Sequence, residues 1–235
     1  MNVIGHRGAS RAQPENTPPA FATADAMGAD GVELDVRLAP DGRGGRRLVV
    51  RHDPVPSGQA ECDALSGLDD VLDACGDRML VNIEIKNSVG EGGFDPTMAV
   101  VAPTLAAMRR RGPAWSGRWL ISSFSFTTID HCRRVDPSIP TALLVERATD
   151  TVIRRTARAG HSAVHPWIGR LDGDLVATCH AEGLAVNAWT CNDVRQLREL
   201  ADMGVDGVCT DVPDVALRAI GRTGRRLTPS WGRPA

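Results

Sequence analysis

Short apolar runs rich in β-branched residues alternate with helical patterns along almost the whole chain of 235 residues. We predict eight strands, at residues 2–6, 31–36, 81–86, 120–124, 141–145, 163–167, 184–190 and 207–210. Helices are predicted between and after them, at residues 18–27, 68–74, 97–111, 127–135, 150–159, 174–182, 193–203 and 213–220. Regular alternation of this kind favours a parallel sheet covered by helices. Eight repeats in a chain of this length indicate an α/β fold of the (β/α)₈ TIM-barrel type.

The main alternative is an open, doubly wound parallel sheet. That fold would favour a glycine-rich dinucleotide-binding turn after the first strand, and the sequence GHRG at residues 5–8 does not match G-x-G-x-x-G. Residues 37–63 break the alternating pattern, because a strand-like segment follows the turn at Asp41 and Gly42. We predict that this segment forms a short hairpin insertion between the second and third barrel strands.

The domain organisation predicted from the pattern is simple. Residues 1–221 are expected to form a single barrel domain, whose last helix opens at Asp211 and Pro213. Residues 222–235 combine several arginines with glycine, proline and serine, and we expect them to form a basic, flexible C-terminal tail.

Composition restricts the partners that the chain is expected to have. Its formal net charge of −2 argues against a nucleic-acid-binding protein, which usually presents a basic surface. No apolar run reaches the length of about 18–20 residues that spans a bilayer, so no stable membrane insertion is expected. The six cysteines lack C-x-x-C spacing and are interpreted as buried free thiols. We therefore predict a cytoplasmic protein.

Acidic residues in two predicted strands indicate a metal site. Glu33 and Asp35 are two positions apart, so their side chains point to the same face of the second strand. Glu84 and Lys86 repeat this spacing on the next strand. Three carboxylates directed into a barrel repel one another unless a cation lies between them, and oxygen ligands suit Mg²⁺ or Ca²⁺. The alternative is a structural ion-pair network with Lys86 and Arg7.

Histidines at strand ends are candidates for proton transfer. His6 ends the first strand and His52 follows the hairpin segment, and each lies beside charged residues. Histidine changes its charge near neutral pH, so either residue could act as acid or base. His165, near the end of the sixth strand, is left open. Three further histidines are expected to be structural or exposed: His131, His161 and His180.

Several segments, taken together and in order, closely resemble the signature of the glycerophosphodiester phosphodiesterase family. The similarity extends from residue 3 to about residue 218. The matching segments are GHRGA at 5–9, PENT at 14–17, GADGVELDV at 28–36, VVRHD at 49–53, IEIK at 83–86, AWTCN at 188–192 and GVDGVCTDVP at 204–213.

This resemblance implies a (β/α)₈ barrel that hydrolyses a glycerophosphodiester to glycerol 3-phosphate and an alcohol, with a role in glycerol or lipid metabolism. It implies that Trp189 forms part of the substrate pocket wall, although ordinary packing within the barrel would also explain this residue. The residues that would bind the divalent cation are Glu33, Asp35 and Glu84.

The resemblance also assigns roles to the residues around the expected metal site. His6 and His52 would form the acid–base pair, without a decision on which is the acid. Arg7 and Lys86 would contact the phosphate, and Arg7 would also act in catalysis by stabilising the negative charge that develops in the transition state. Glu15 would orient His6 or Arg7.

The chain departs from the family in one segment. Only 31 residues separate His52 from Glu84, where family members commonly carry a longer insertion over the active site. A more open site could accept larger lipid or sugar phosphodiesters, so an enzyme of the lysophospholipase D type is the alternative function. A barrel that binds phosphate esters without turnover is a third hypothesis, but it would not require both histidines. The leaving alcohol, the preferred metal and the oligomeric state are not predicted.

Overall fold

The computed structural model describes residues 1–115, 117–226 and 231. Within them the strands are β1 (Asn2–His6), β2 (Gly31–Pro40), β3 (Arg46–Val50), β4 (Leu80–Ile85), β5 (Trp119–Ser123), β6 (Thr141–Val145), β7 (Ala163–Pro166), β8 (Ala185–Ala188) and β9 (Gly207–Thr210). The helices are α1 (Pro18–Ala26), α2 (Gln59–Asp63), α3 (Leu68–Ala74), α4 (Val101–Arg110), α5 (Phe126–Val135), α6 (Asp150–Arg158), α7 (Gly173–Ala181), α8 (Val194–Asp202) and α9 (Pro213–Ala219). Two short 3₁₀ helices follow at Pro113–Trp115 and Ile168–Arg170.

The strands form a closed parallel barrel. In order around the barrel they are β1, β2, β4, β5, β6, β7, β8 and β9, and β9 pairs in parallel with β1 to close the ring. β3 lies outside this ring and pairs antiparallel with the extended end of β2. The TIM-barrel prediction is therefore confirmed, and so is the hairpin insertion.

The bounds of some strands and helices differ from the prediction. The differences occur where the backbone forms hydrogen bonds with another segment, which the local sequence pattern does not reveal. The second strand runs on to Pro40 because β3 pairs with its last five residues. The helix predicted from residue 97 begins only at Val101. Before it, the side chain of Asn87 exchanges hydrogen bonds with the backbone of Asp95, at 3.0 Å and 2.8 Å, and keeps this segment in a loop. The short helix α2 was not predicted.

The alternating direction of strand side chains separates the apolar core from the polar interior. On β2, Val32, Leu34 and Val36 point outwards into the buried layer between the sheet and the helices. Glu33 and Asp35 therefore point into the barrel, as predicted. No helix among the described residues is long and apolar enough to cross a membrane.

Part of the predicted C-terminal tail contacts the barrel. Arg222 forms an ion pair of 2.6 Å with Asp30, which is fully buried, and Trp231 is buried against apolar residues at the amino ends of the strands. Residues 227–230 and 232–235 lie outside the described residues. The domain boundary after residue 221 stays a prediction.

Candidate active site

The predicted acidic residues lie on two neighbouring strands, β2 and β4, beside the end of β1. His6 on β1 is in register with Glu33 on β2, and Asp35 on β2 is in register with Glu84 on β4. One carboxylate oxygen from each of the three acids lies within 4.8 Å of the other two, and all three side chains are buried. The structure thus brings together the three acids that were predicted from separate segments.

The chemistry of this cluster suits a divalent cation. Burial, together with the neighbouring Asp35 and Glu84 carboxylates, raises the pKa of Glu33 well above its ordinary value. Burial and Asp35 also raise the pKa of Glu84, to about 7. Oδ1 of Asp35 is buried and accepts no hydrogen bond from the described residues. A hard cation would offset this repulsion and give that oxygen a ligand, so the donor set fits Mg²⁺ or Ca²⁺.

Lys86 partly balances the negative charge of the cluster. Its Nζ lies 2.8 Å from Glu84, 3.2 Å from Glu91 and 3.9 Å from Asp35. Burial lowers the pKa of Lys86, but these carboxylates raise it further, so the net shift is upward and the ammonium group is retained. The ion-pair network that was predicted as an alternative therefore coexists with an arrangement suitable for a metal.

Arg7 connects the acidic cluster to the loop after β1. Its backbone N–H donates to Glu33 at 3.0 Å, its Nε lies 3.2 Å from Asp35, and its Nη1 donates to both Glu15 oxygens at 3.0 Å. Glu15 thus pairs with Arg7 and not with His6, the other partner that the sequence allowed. Asn16 was not predicted, yet its Nδ2 donates to Asp35 at 2.8 Å.

His6 is fixed by a carboxylate from the far end of the chain. Its Nδ1 lies 2.7 Å from Oδ1 of Asp211. Hydrogen bonds from His6 and Asn192 hold the pKa of Asp211 at about 2, so this ionised carboxylate can only accept. The Nδ1 atom of His6 must then carry the proton, which leaves Nε2 free for proton transfer. Asp211 does not open the last helix as predicted, because the residue that precedes α9 is Val212.

His52 lies on the loop after β3 with a similar carboxylate partner. Its Nδ1 lies 3.0 Å from Oδ1 of Asp53, and its side chain is 39% exposed. The buried Arg37 donates from Nε and Nη2 to the carbonyl oxygen of His52, at 3.0 Å and 2.6 Å. Arg37, a buried residue of β2, was not singled out in the sequence.

These residues face one cleft of about 410 Å³ at the carboxyl end of the barrel. His6, His52 and the expected phosphate-binding residues line one side of it. The opposite side includes Trp189, whose Nε1 donates to the carbonyl oxygen of His165 at 2.8 Å. His165 is buried, and burial lowers its pKa to about 3, so its imidazole is neutral. Seven of the nine predicted site residues therefore line the cleft, Asp35 adjoins it through Glu33 and Glu84, and Glu15 reaches it through Arg7.

A family model described as "Glycerophosphoryl diester phosphodiesterase family" matches the chain over residues 6–57 and 55–215. The chain belongs to this family. Its members are phosphoric diester hydrolases, and the matched region contains every residue of the cleft described above. The resemblance seen in the sequence is thereby confirmed.

Individual relatives are similar over nearly their full length. A glycerophosphodiester phosphodiesterase of Caldanaerobacter subterraneus subsp. tengcongensis is 28% identical, over 94% of this chain and 98% of the relative. The crystal structure of a glycerophosphodiester phosphodiesterase from Agrobacterium tumefaciens str. C58 has a TM-score of 0.72 and 25% identity, over 92% of this chain and 99% of that chain. An Oleispira antarctica phosphodiesterase, solved with the product sn-glycerol-3-phosphate, has a TM-score of 0.81 and 23% identity, over 94% and 97% of the two chains.

The other histidines of this family member lie away from the cleft. His161 is buried and its Nδ1 contacts the hydroxyl of Thr141 at 2.7 Å. His180 contacts Asp206 at 2.8 Å, and both side chains are partly exposed. His131 lies on α5. Their positions agree with the structural or surface roles that were expected from the sequence.

Proposed function

We propose that this family member hydrolyses glycerophosphodiesters to glycerol 3-phosphate and an alcohol with the help of a divalent cation and two histidines. The observation that carries the proposal is the meeting of three buried carboxylates and two carboxylate-bound histidines in one cleft. A structural relative binds sn-glycerol-3-phosphate, which is the product expected here. A family member that only bound phosphate esters would not need two histidines prepared for proton transfer.

The proposed cation ligands are Glu33, Asp35 and Glu84. When bound, Mg²⁺ or Ca²⁺ would polarise a phosphate oxygen and stabilise the charge that develops on the phosphoryl group. The elevated pKa values of Glu33 and Glu84 belong to the cluster without a cation. Loading the site therefore requires these carboxyl groups to give up their protons.

The histidines are proposed to move the two protons of the reaction. One imidazole accepts the proton of the attacking hydroxyl, which is either water or the 2-hydroxyl of the substrate. The other donates a proton to the departing alkoxide. Attack by the 2-hydroxyl would give a cyclic phosphate, which water then opens to glycerol 3-phosphate with the two imidazoles in exchanged roles. Asp211 and Asp53 each hold Nδ1 of their histidine, so Nε2 is the atom that His6 and His52 offer to the substrate.

Arg7 and Lys86 are the proposed phosphate-binding residues. Nη2 of Arg7 has no partner among the described residues, although Nε and Nη1 of the same guanidinium face Asp35 and Glu15. With Nε and Nη1 engaged, Nη2 is the guanidinium nitrogen left to donate, and we propose that it binds a phosphate oxygen in the cleft that Arg7 lines. Lys86 also lines the cleft, and we propose that it contributes an ammonium donor to the same anion.

The proposed location is the cytoplasm. All six cysteines are free and buried, which is the state typical of a reducing compartment. The proposed metabolic role is the recovery of glycerol 3-phosphate from glycerophosphodiesters derived from lipids.

The proposal is tested by measuring glycerol 3-phosphate release by chelator-treated protein, with Mg²⁺, Ca²⁺ or no metal added. The panel contains small glycerophosphodiesters and also lysophospholipids, for which release of the head-group alcohol is measured because their acyl chain stays on the glycerol phosphate. We expect metal-dependent release that falls by about 10²–10⁴-fold in His52→Gln. The matched control is His131→Gln on α5, which should keep wild-type activity. Release without any metal, or equal activity of the two variants, would contradict the proposed mechanism, and cleavage of lysophospholipids alone would identify the alternative substrate class.

A further inference from the structure

The active-site cleft has two chemically different halves. The half formed by β1, β2 and β4 carries the three carboxylates, both expected phosphate-binding cations and His6. The half formed by β5 to β8 carries an apolar and aromatic wall with one acidic residue. The residues that line this second half are Phe124, Leu144, Glu146, His165 and Trp189.

The aromatic wall is fixed by its own contacts. The edge of one ring meets the face of the other between Phe124 and Trp189, with centroids 5.4 Å apart and an interplanar angle of 88°. The hydrogen bond from Trp189 Nε1 to His165 holds the indole in place. Leu144 is buried beside them. The wall therefore presents a preformed surface to whatever part of the substrate lies on this side.

The same half of the cleft carries a net negative charge. Glu146 directly follows β6, is exposed, and has no hydrogen bond or ion pair with any described residue. His165 is neutral because burial lowers its pKa to about 3. Lys86 is the cation that approaches the wall, with Nζ 5.8 Å from the ring centroid of Phe124, but Glu84 and Glu91 already pair with it.

We propose that this half of the cleft selects a leaving alcohol that carries a positive charge, such as an amino alcohol or a quaternary ammonium alcohol, and that Glu146 is the residue that determines this specificity. The inference rests on the proposed function, since it needs the phosphate to be bound on the first half. It also places the glycerol arm of the diester beside the acidic cluster, so that the alcohol arm extends towards the second half. There, aromatic rings attract a cation and a free carboxylate adds to the attraction.

The charge of Glu146 also disfavours the opposite class of substrate. An alcohol with an acidic group would place a second negative charge beside an unpaired carboxylate, and like charges in a partly enclosed cleft repel. A neutral alcohol would meet the aromatic wall without gaining from the charge. The discrimination therefore depends on charge more than on size.

The test compares two diesters of the same shape. In one, glycerol 3-phosphate is esterified with choline, and in the other with 3,3-dimethylbutanol, in which a carbon replaces the charged nitrogen. We measure kcat/KM for the release of glycerol 3-phosphate from each. In the wild-type protein we expect the charged diester to be preferred by more than the roughly three- to fivefold of a partly exposed cation–aromatic contact, because the Glu146 carboxylate adds its own attraction.

Variants assign this preference to one residue. Glu146→Gln should lower the ratio of the two kcat/KM values to the smaller preference that the aromatic wall alone gives, and Glu146→Lys should bring it below one, because an ammonium group there repels the cation. The matched control is Glu182→Gln, an exposed glutamate at the end of α7 outside the cleft, which should keep the wild-type ratio. An amino alcohol ester with a primary ammonium group serves as a second charged substrate.

The outcomes separate the inference from the function on which it rests. A wild-type ratio of one, or a preference that Glu146→Gln retains in full, would overturn the inference even though turnover of both diesters would still support the proposed function. The absence of release from both diesters with Mg²⁺ and with Ca²⁺ would instead overturn the proposed function. A ratio that falls in Glu146→Gln and inverts in Glu146→Lys supports both.

Discussion

Replacing Asp211 by asparagine separates the role of a carboxylate in the fold from its role in orienting His6. The carboxylate receives hydrogen bonds from His6 at 2.7 Å, from Ser10 at 3.0 Å and from Asn192 at 2.6 Å. An amide in this position has one accepting oxygen in place of two. In one orientation its N–H groups face the amide N–H of Asn192, and in the other they face His6 and Ser10. The amide also lacks the negative charge that stabilises a protonated imidazole.

The effect on stability follows from the pKa of Asp211. The hydrogen bond from His6 contributes most to lowering it, from 3.8 to about 2. Each pKa unit corresponds to about 1.4 kcal/mol. Solvent screening at this partly exposed carboxylate reduces the contribution, and we expect Asp211→Asn to lower the free energy of unfolding at pH 7 by about 1–2 kcal/mol.

The sign of the pH dependence is fixed by the direction of this shift. A carboxylate with a lower pKa in the folded state stabilises the fold at all pH values above its unfolded pKa of 3.8. The contribution is lost as the pH falls from about 4 towards 2. Urea unfolding should therefore show a difference between wild type and Asp211→Asn that is full at pH 7 and smaller at pH 3.

The effect on catalysis should be larger than the effect on stability. Asp211 does not line the cleft, so we expect KM to change little and kcat to fall by about 10²–10⁴-fold, the usual contribution of one acid–base group. The matched control is Asp206→Asn, because Asp206 contacts His180 at 2.8 Å far from the cleft. Asp206→Asn should lose stability and keep kcat. A wild-type kcat in Asp211→Asn, or equal losses in the two variants, would refute the reasoning.

Three further predictions concern the metal site, the C-terminal contacts and the first loop. Because the pKa of Glu84 is about 7 without a cation, the affinity for a divalent metal should fall as the pH drops below 7, and binding should release protons. Calorimetry in two buffers of different ionisation enthalpy measures the number of protons released, and an affinity that does not change with pH would contradict the prediction. Arg222→Met should lower the free energy of unfolding by about 3 kcal/mol in urea titration, because it leaves the fully buried Asp30 without its ion-pair partner, and an unchanged midpoint would show that the pair contributes nothing. Gly8→Ala should lower the free energy of unfolding by more than the roughly 1–2 kcal/mol that a left-handed backbone costs a non-glycine residue, because the added Cβ would also lie 2.6 Å from the backbone of α1. The control is Gly76→Ala, where φ is also positive but no atom of the described residues lies near the added Cβ, and equal losses in the two variants would exclude the clash.

Local sequence periodicity determined the architecture of this protein. Strand and helix patterns repeat with periods of two and 3.6 residues, and each can be recognised without knowledge of its neighbours. The same two-residue period placed Glu33 and Asp35 on the inner face of β2, and the structure confirms that direction. The acidic cluster was predictable because each acid needed only its own strand to be oriented correctly.

Contacts between distant segments were decided by closure of the barrel. Asp211 lies 205 residues from His6, and the two meet only because β9 pairs with β1. The sequence around Asp211 indicated a helix start, which is the usual role of an aspartate in that local pattern. Asn16 and Arg37 were missed for a similar reason, since their partners are backbone or side-chain groups on other elements.

The sequence by itself thus determined the strand order of a repeating fold and the face on which its acids lie, because both depend on local periods. The tertiary structure alone decided which carboxylate orients His6, which residue Glu15 pairs with, and how Arg222 and Asp30 meet across 192 residues. These contacts depend on the register between strands and on the path of loops. Neither is encoded in a local pattern, because a shift of one register position would give each side chain a different partner.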